Sequence, residues 1–149
     1  MAGKEYFIFE LEKFMIGIST DEIWKVVMVE SFTPVPLLPE EIIGIGLYRN
    51  DIIVIKDLEK ILGIKKGKSS FNPELDSIAV VDQRGFEQKD YLYGIPIKRY
   101  LTYLDIDKLE LKTELPYDIK KGEFIEGYYF EKDIVFIIKQ GKLKEIIKD

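Results

Sequence analysis

The chain has 149 residues, a net charge of −5 and a hydrophobic content of 46%, which indicates one soluble globular domain with a sizeable core. It contains no cysteine and no histidine, so disulfides, thiolate metal sites and the commonest general base are excluded. We therefore expect no metal, no cofactor and no enzymatic activity. The acidic balance also argues against a nucleic-acid partner, because phosphate binding needs clustered basic side chains.

The opening segment, MAGKEYFIFELEKF, predicts a cytoplasmic protein without membrane insertion. It is a charged, alternating pattern and not the apolar core of a signal peptide. No apolar run in the chain reaches the roughly 18 residues that a spanning helix needs. The high content of Ile, Lys and Glu resembles the usage of thermophiles.

The first strands are predicted from alternation of apolar and polar residues. Residues 6–11 and 14–18 both alternate and are separated by Glu12-Lys13, so we expect an antiparallel hairpin. Ser19 and Glu22 then have the spacing of a capping box, which predicts a short helix over residues 20–25. Residues 26–29 are expected to return to a strand.

A proline-containing connector precedes the next predicted hairpin. The stretch FTPVPLLP at 32–39 is expected to be an extended loop, followed by a helical turn at 40–43. Residues 45–48 and 52–55 predict two strands around Asn50-Asp51, a dipeptide that tolerates left-handed backbone in tight turns. Residues 57–62 suit a short helix ended by Gly63.

The second half also favours strands. Residues 65–73 read as a polar loop between the halves, and further strands are predicted at 77–81, 91–103, 123–130 and 133–138, with a terminal helix at 142–147. The segment NDIIVIKDLEKIL at 50–62 is similar to KDIVFIIKQGKLKEII at 132–147. This similarity suggests a duplicated unit and two paired antiparallel barrels, with chance likeness of apolar strands as the alternative.

Gly44, Arg49 and Asp57-Leu58 form a pattern around the second hairpin. This pattern resembles the CheW-like domain of bacterial chemotaxis coupling proteins. The family has a Gly, then Asn-Leu-Arg-Gly, a strand containing Pro, and Asp-Leu. In this chain Gly44, Arg49 and Asp57-Leu58 match that pattern. The likeness extends to Gly94-Ile95-Pro96-Ile97 and to the closing hairpin, and so covers nearly the whole chain.

The resemblance implies an all-β fold of two small five-stranded antiparallel barrels, SH3-like, that share a hydrophobic core. It implies one CheW-like domain over residues 1–149, with two intertwined halves that meet near residues 65–73. The N-terminal strands would complete the second barrel or bridge both. The expected role is a non-catalytic scaffold that couples the cytoplasmic tip of a chemoreceptor, a methyl-accepting chemotaxis protein, to the regulatory domain of the chemotaxis kinase CheA.

Four residues are candidates for partner binding: Arg49, Gly44, Ile23 and Asn50. Arg49 could instead be a solvated turn charge, Ile23 a core residue of the first barrel, and Gly44 a point where the strand bends. The turn departs from the family where Leu47 replaces Asn and Asn50 replaces Gly, although Asn50 can supply the positive φ of the glycine.

Two departures lie outside the turn. Val54 replaces the strand proline, and the second Asp-Leu is absent around Ile138-Lys139.

Two other classes of function have some support in the sequence. The aromatic run Tyr128-Tyr129-Phe130 could line a groove in a small barrel that binds a ligand or an oligonucleotide, but the acidic charge disfavours a nucleic acid. Carboxylates at Glu40-Glu41 and at 105–107 could form a metal or acid–base site, but they lack the spacing of a calcium loop.

Overall fold

Strands dominate the part of the chain that the computed structural model describes, which is residues 5–36, 39–84, 90–116 and 118–148. The strands are β1 Glu5–Glu10, β2 Met15–Ser19, β3 Lys25–Val27, β4 Ser31–Pro34, β5 Ile42–Tyr48, β6 Asp51–Lys56, β7 Ser77–Val81, β8 Leu92–Ile97, β9 Arg99–Asp105, β10 Ile125–Phe130 and β11 Ile134–Ile138. Two short helices are α1 Leu58–Ile61 and α2 Leu143–Ile147. Short 3-10 turns lie at Thr20–Glu22, Ile106–Lys108 and Gly122–Phe124. No helix in these ranges is long and apolar enough to cross a membrane.

The strands form two sheets. Sheet A has the order β10-β11-β2-β1-β9, and sheet B has the order β3-β7-β8-β6-β5-β4. The N-terminal hairpin β1–β2 therefore belongs to the same sheet as the C-terminal strands. The chain passes from sheet A to sheet B through Thr20–Glu22, and returns at Lys98 between β8 and β9.

The two sheets repeat one arrangement. In sheet A the hairpin β10–β11 is followed by α2, and β11 pairs in parallel with β2. In sheet B the hairpin β5–β6 is followed by α1, and β6 pairs in parallel with β8. The order β5-β6-β8-β7-β3 thus matches β10-β11-β2-β1-β9, and the similarity of 50–62 to 132–147 corresponds to equivalent positions in the two sheets.

Most strands are buried on both faces. One face of each sheet packs in a hydrophobic cluster of its own, and the other face packs in a hydrophobic cluster that both sheets share. Tyr6, Ile8, Val135 and Ile137 pack in the cluster of sheet A, and their chain neighbours Phe9 and Phe136 pack in the shared cluster. Sheet B shows the same alternation. Its own cluster contains Ile53, Ile55, Ile78 and Val80, and the shared cluster contains Ala79 and Val81. The prediction of two small β units sharing a hydrophobic core is confirmed.

Two details of the predicted barrels were wrong. Sheet B has six strands, because residues 31–34 pair with β5 as an edge strand, although residues 32–34 lie in the predicted loop 32–39. An edge strand tolerates Pro34, since one side of it needs no N–H donor. Each sheet also contains one parallel pair among its antiparallel ones, formed by strands that are distant in the chain and not constrained by a tight turn.

The predicted capping box at Ser19 and Glu22 is wrong. The Ser19 hydroxyl donates to Asp21, and the Glu22 carboxylate accepts from the amide of Leu143 instead of reaching back to Ser19. The turn ends at Glu22, and Ile23 is already extended. The burial of Glu22 against a distant segment outweighs the local pattern.

Other predicted boundaries shifted. The helical turn at 40–43 is wrong, because β5 begins at Ile42. The predicted strand 91–103 is broken at Lys98, and β10 begins only at Ile125, after a 3-10 turn. Leu37 and Leu38 of the predicted connector lie outside the described residues. The helices at 57–62 and 142–147 are confirmed, with Asp57 as N-cap of α1 and Gly63 in the left-handed region at φ 71°.

The segment 65–73 connects α1 to β7, both in the half of the chain that builds sheet B. It also contacts sheet A, because Lys65 Nζ lies 2.8 Å from Glu12 Oε2 in the β1–β2 turn. The amide of Ser70 donates to the same carboxylate at 3.1 Å. The two sheets come together at this segment, although the chain changes sheet elsewhere. The division of residues 1–149 into halves that meet there stays a prediction.

Candidate functional site

The tip of the β5–β6 hairpin presents the predicted arginine. Tyr48 pairs with Asp51, so Arg49 and Asn50 form a two-residue loop. The positive φ expected at Asn50 belongs to Arg49 instead, at 54°. Arg49 is the first residue of the loop, a position that has a positive φ in both of the common two-residue hairpin turns. The hairpin itself is confirmed.

The backbone amide of Arg49 is fixed by a hydrogen bond, whereas its guanidinium is exposed. Its amide donates a hydrogen bond to Glu30 Oε1 at 2.8 Å. Its guanidinium carbon lies 5.3 Å from the centre of the Tyr48 ring, within the range of a cation–π contact. The side chain is exposed, and within the described ranges no carboxylate lies at ion-pair distance from the guanidinium. Five donors are therefore available to a partner.

A second cation joins this tip to the start of β3. Lys25 Nζ lies 4.8 Å from the Trp24 ring centre and 5.9 Å from that of Tyr48. The aromatic rings of Trp24 and Tyr48 thus alternate with the charges of Lys25 and Arg49. This arrangement brings β3 and the hairpin tip together on one side of sheet B.

Large apolar side chains are exposed on the same strands. Trp24, Val26 and Met28 alternate along β3 and its ends, and Leu47 and Ile52 pair across the hairpin. The two groups are linked by the amide of Glu30, which donates to the Leu47 carbonyl at 2.7 Å. Together with the half-buried Lys25 and Tyr48, these residues and Arg49 form a patch that we call the hairpin surface: Trp24, Lys25, Val26, Met28, Leu47, Tyr48, Arg49 and Ile52. Exposed apolar residues beside free cations are typical of a protein interface.

The other three predicted residues lie in different environments. Asn50 is exposed in the hairpin loop beside Arg49, whereas Ile23 is half-buried and packs against the shared cluster. Gly44 is buried under β4, where an added Cβ would lie 2.5 Å from the Thr33 carbonyl oxygen. A close approach at Gly44 therefore comes from the protein's own edge strand. The partner roles of all four residues stay predictions.

A small ion network supports the other side of the tip. Arg84 Nη1 lies 3.3 Å from Asp51 Oδ1, and Arg84 Nη2 lies 2.9 Å from Asp82 Oδ2. The hydrogen bonds from Arg84 hold the pKa of the Asp82 carboxyl below its ordinary value. Asp51, which follows the loop, therefore forms its ion pair with Arg84.

Sequence reasoning missed Trp24 and Lys25 as parts of the hairpin surface, and it missed Glu30 as the acceptor that holds the Arg49 amide. One signal was present: the run WKVVMV at 24–29 is apolar on both faces of a strand, which a sheet with one solvated face does not need. The contact of Glu30 with the Arg49 amide had no local signal, because the two residues are 19 positions apart.

The aromatic run and the carboxylates considered for the two alternative functions lie in other parts of the structure. Tyr128 is buried against Phe136, Tyr129 packs against the cluster of sheet A, and Phe130 is 61% exposed, so the three rings lie in different environments. Asp105 accepts from the amide of Asp107 and caps a 3-10 turn. In the described part of the chain, no group of three or more acidic side chains is arranged to hold a metal.

Comparison with known proteins agrees with this architecture. The model of the CheW-like domain matches residues 5–146. The crystal structure of the scaffolding protein TtCheW from Thermoanaerobacter tengcongensis is similar, with a TM-score of 0.71 and 26% identity over 100% of this chain and 90% of that one. No protein with a curated description matches the chain. Because the family model covers almost the whole sequence, the chain belongs to the CheW-like domain family.

Proposed function

We propose that the protein is a non-catalytic chemotaxis adaptor that couples the cytoplasmic tip of a chemoreceptor to the regulatory domain of the kinase CheA. Membership of the CheW-like family supports an adaptor role, and the solved relative TtCheW is described as a scaffolding protein. The proposal assigns the protein to the cytoplasm, where such a tip lies. It needs no cofactor, since coupling depends on how the partners are held.

The observation that carries the proposal is the free charge of Arg49 on a rigid support. The Glu30 hydrogen bond and the Tyr48 ring restrict the loop, so little conformational entropy is lost when a partner binds. A guanidinium can bind a carboxylate in a bidentate manner or donate hydrogen bonds to the carbonyls at a helix end. Both groups are available on a helical receptor tip.

The apolar part of the hairpin surface supports contact with a helix. Trp24, Val26 and Ile52 are exposed beside the cations Lys25 and Arg49. An amphipathic helix with acidic residues next to its apolar stripe would match both features. In this arrangement Ile23 and Asn50 would contribute at the edge of the interface, and Gly44 would act by keeping β4 in place.

Binding to purified partners tests the proposal. The protein is immobilised and mixed with a soluble receptor-tip fragment, with the regulatory domain of CheA, and with both. We expect each partner to bind and the ternary complex to form. A single-stranded oligonucleotide serves as the probe for the alternative small-barrel function, and binding of the oligonucleotide without either protein would contradict the adaptor role.

A further inference from the structure

The carboxyl of Glu22 connects the crossover between the sheets to the last helix. Glu22 ends the 3-10 turn Thr20–Glu22, through which the chain passes from β2 to β3. The residue is only 6% exposed. Its Oε1 accepts a hydrogen bond from the amide of Leu143, the first residue of α2, at 2.9 Å.

Helix α2 lacks a cap of its own. Its N-cap residue is Lys142, which makes no side-chain hydrogen bond to the helix amides. Glu22 therefore provides the acceptor that a local serine or aspartate supplies in other helices, as Asp57 does for α1. At the other end, Lys56 donates to the Ile147 carbonyl and Lys121 donates to the Ile146 carbonyl, each at 2.7 Å.

The second oxygen of the carboxyl is buried without a partner. Among the described residues, nothing donates a hydrogen bond to Glu22 Oε2. An ionised carboxylate with an unsatisfied buried oxygen is costly, and opening that admits water relieves the cost.

The charged and titratable groups around Glu22 come from three elements. Asp21 of the same turn opposes ionisation by its charge, and Lys144 of α2 favours it. On β1, the Tyr6 hydroxyl donates a hydrogen bond to the Ile138 carbonyl at 2.7 Å. Burial, together with the charges of Glu22 and of Glu126 on β10, raises the pKa of that hydroxyl. The charges of Asp21 and Lys144 therefore oppose each other at the carboxyl, and burial is the largest influence on its ionisation.

We propose that Glu22 is a protonation-controlled latch, which holds α2 docked when its carboxyl is neutral and weakens that docking when the carboxyl ionises. Burial, with the charge of Asp21, raises the pKa of Glu22 to about 7 against the amides of Leu143 and Gly141 and the charge of Lys144. The latch thus changes state near neutral pH. This inference does not depend on the proposed adaptor function.

The direction of the effect follows from linkage. When α2 opens, Glu22 meets water and its pKa returns toward the ordinary value of 4.5. Because the docked state has the higher pKa, docking is most favourable below that ordinary value and is lost progressively as the pH rises through about 7. Between pH 6 and pH 8 the opening equilibrium should rise about tenfold.

Hydrogen exchange of the α2 amides measures this opening. The amides of Ile146 and Lys148 donate to carbonyls within the helix, so they exchange only when α2 opens. Exchange is followed by NMR at pH 6 and pH 8, corrected for the intrinsic rates, with amides of β7 as internal reference. We expect wild-type α2 to lose about tenfold of its protection at pH 8 relative to β7. Glu22→Gln should change by less than about twofold, because its amide cannot ionise.

Glu123→Gln is the matched control, since Glu123 is an exposed glutamate of another 3-10 turn. It should behave as wild type. Equal loss of protection in wild type and Glu22→Gln, or no loss in either, would overturn the proposal. If Glu22→Gln does not fold, the wild-type carboxyl is titrated directly by carbon NMR. A midpoint near 7 supports the latch, whereas a midpoint near the ordinary value of 4.5 contradicts it.

Discussion

The ammonium of Lys65 lies 2.8 Å from the carboxylate of Glu12, and this ion pair joins the two sheets. Lys65 also pairs with Asp57, the N-cap of α1, and lies 3.7 Å from Glu59. Glu59 accepts hydrogen bonds from the amides of Glu12, Lys13 and Phe14 in the β1–β2 turn. One buried cation and three carboxylates therefore fix α1 of one sheet against the first hairpin of the other.

Replacing Lys65 should destabilise the protein strongly. Burial by itself lowers the pKa of the Lys65 ammonium, but Asp57 and Glu12 outweigh that effect and the pKa lies above its ordinary value. Lys65→Met leaves Asp57 and Glu59 buried without their cation, so we expect the free energy of unfolding to fall by about 3–5 kcal/mol. Lys66→Met is the control, because Lys66 is exposed, and it should change that free energy by less than about 0.5 kcal/mol. Urea denaturation measures both free energies. Equal stability of the two variants would contradict a stabilising role for the Lys65 ion pairs.

Gly44 should act through the fold. A Cβ at this position would lie 2.5 Å from the Thr33 carbonyl oxygen and 2.6 Å from the Phe32 ring. Because backbone of β4 would have to move, we expect Gly44→Ala to lower the free energy of unfolding by about 1–3 kcal/mol. Gly122→Ala is the comparison, since its nearest neighbour, at 3.3 Å, is the end of the Leu115 side chain. A Gly44→Ala protein with wild-type stability and weakened partner binding would favour direct contact instead.

Some parts of this architecture are predictable from sequence because their causes are local. The β5–β6 hairpin follows from alternation and turn residues, and α1 follows from Asp57 at its start and Gly63 at its end. The parallel pairs β2–β11 and β6–β8 are not predictable in that way, since they join distant strands. The same holds for Glu22, whose capping contact spans 121 residues and overrides a local pattern that predicts a capping box.

The candidate site shows the same division. Arg49 stands out in the sequence by its position in the family pattern, and the structure adds the contacts of Glu30, Tyr48 and Lys25. Its positive φ was assigned to Asn50, because side-chain preference alone does not reveal which of two loop residues occupies the left-handed region. The backbone dihedrals of the folded loop place the positive φ at Arg49.

The backbone at Arg49 gives a prediction about stability. At φ 54° a β-branched side chain is strained, so Arg49→Val should lower the free energy of unfolding by about 1–2 kcal/mol. Arg49→Gly should stay within about 0.5 kcal/mol of wild type, since relief of strain offsets the added entropy of the unfolded chain. Asn50→Val is the control at the neighbouring position, which lacks a positive φ, and it should be milder than Arg49→Val. Thermal unfolding that ranks the two valine variants in the reverse order would contradict a positive φ at Arg49.

The affinity of Arg49→Glu for the receptor-tip fragment tests the central claim most directly. Lys132→Glu provides a matched charge reversal, because Lys132 is exposed in the turn of the equivalent β10–β11 hairpin of sheet A. Both variants should melt close to wild type, since surface changes typically alter stability by less than about 0.5 kcal/mol. Loss of a charged contact in an interface costs roughly 2 kcal/mol or more, so calorimetric titration should show Arg49→Glu binding the tip about 30-fold more weakly and Lys132→Glu binding it as wild type. Binding of Arg49→Glu with unchanged affinity, by a protein that remains folded, would contradict the account.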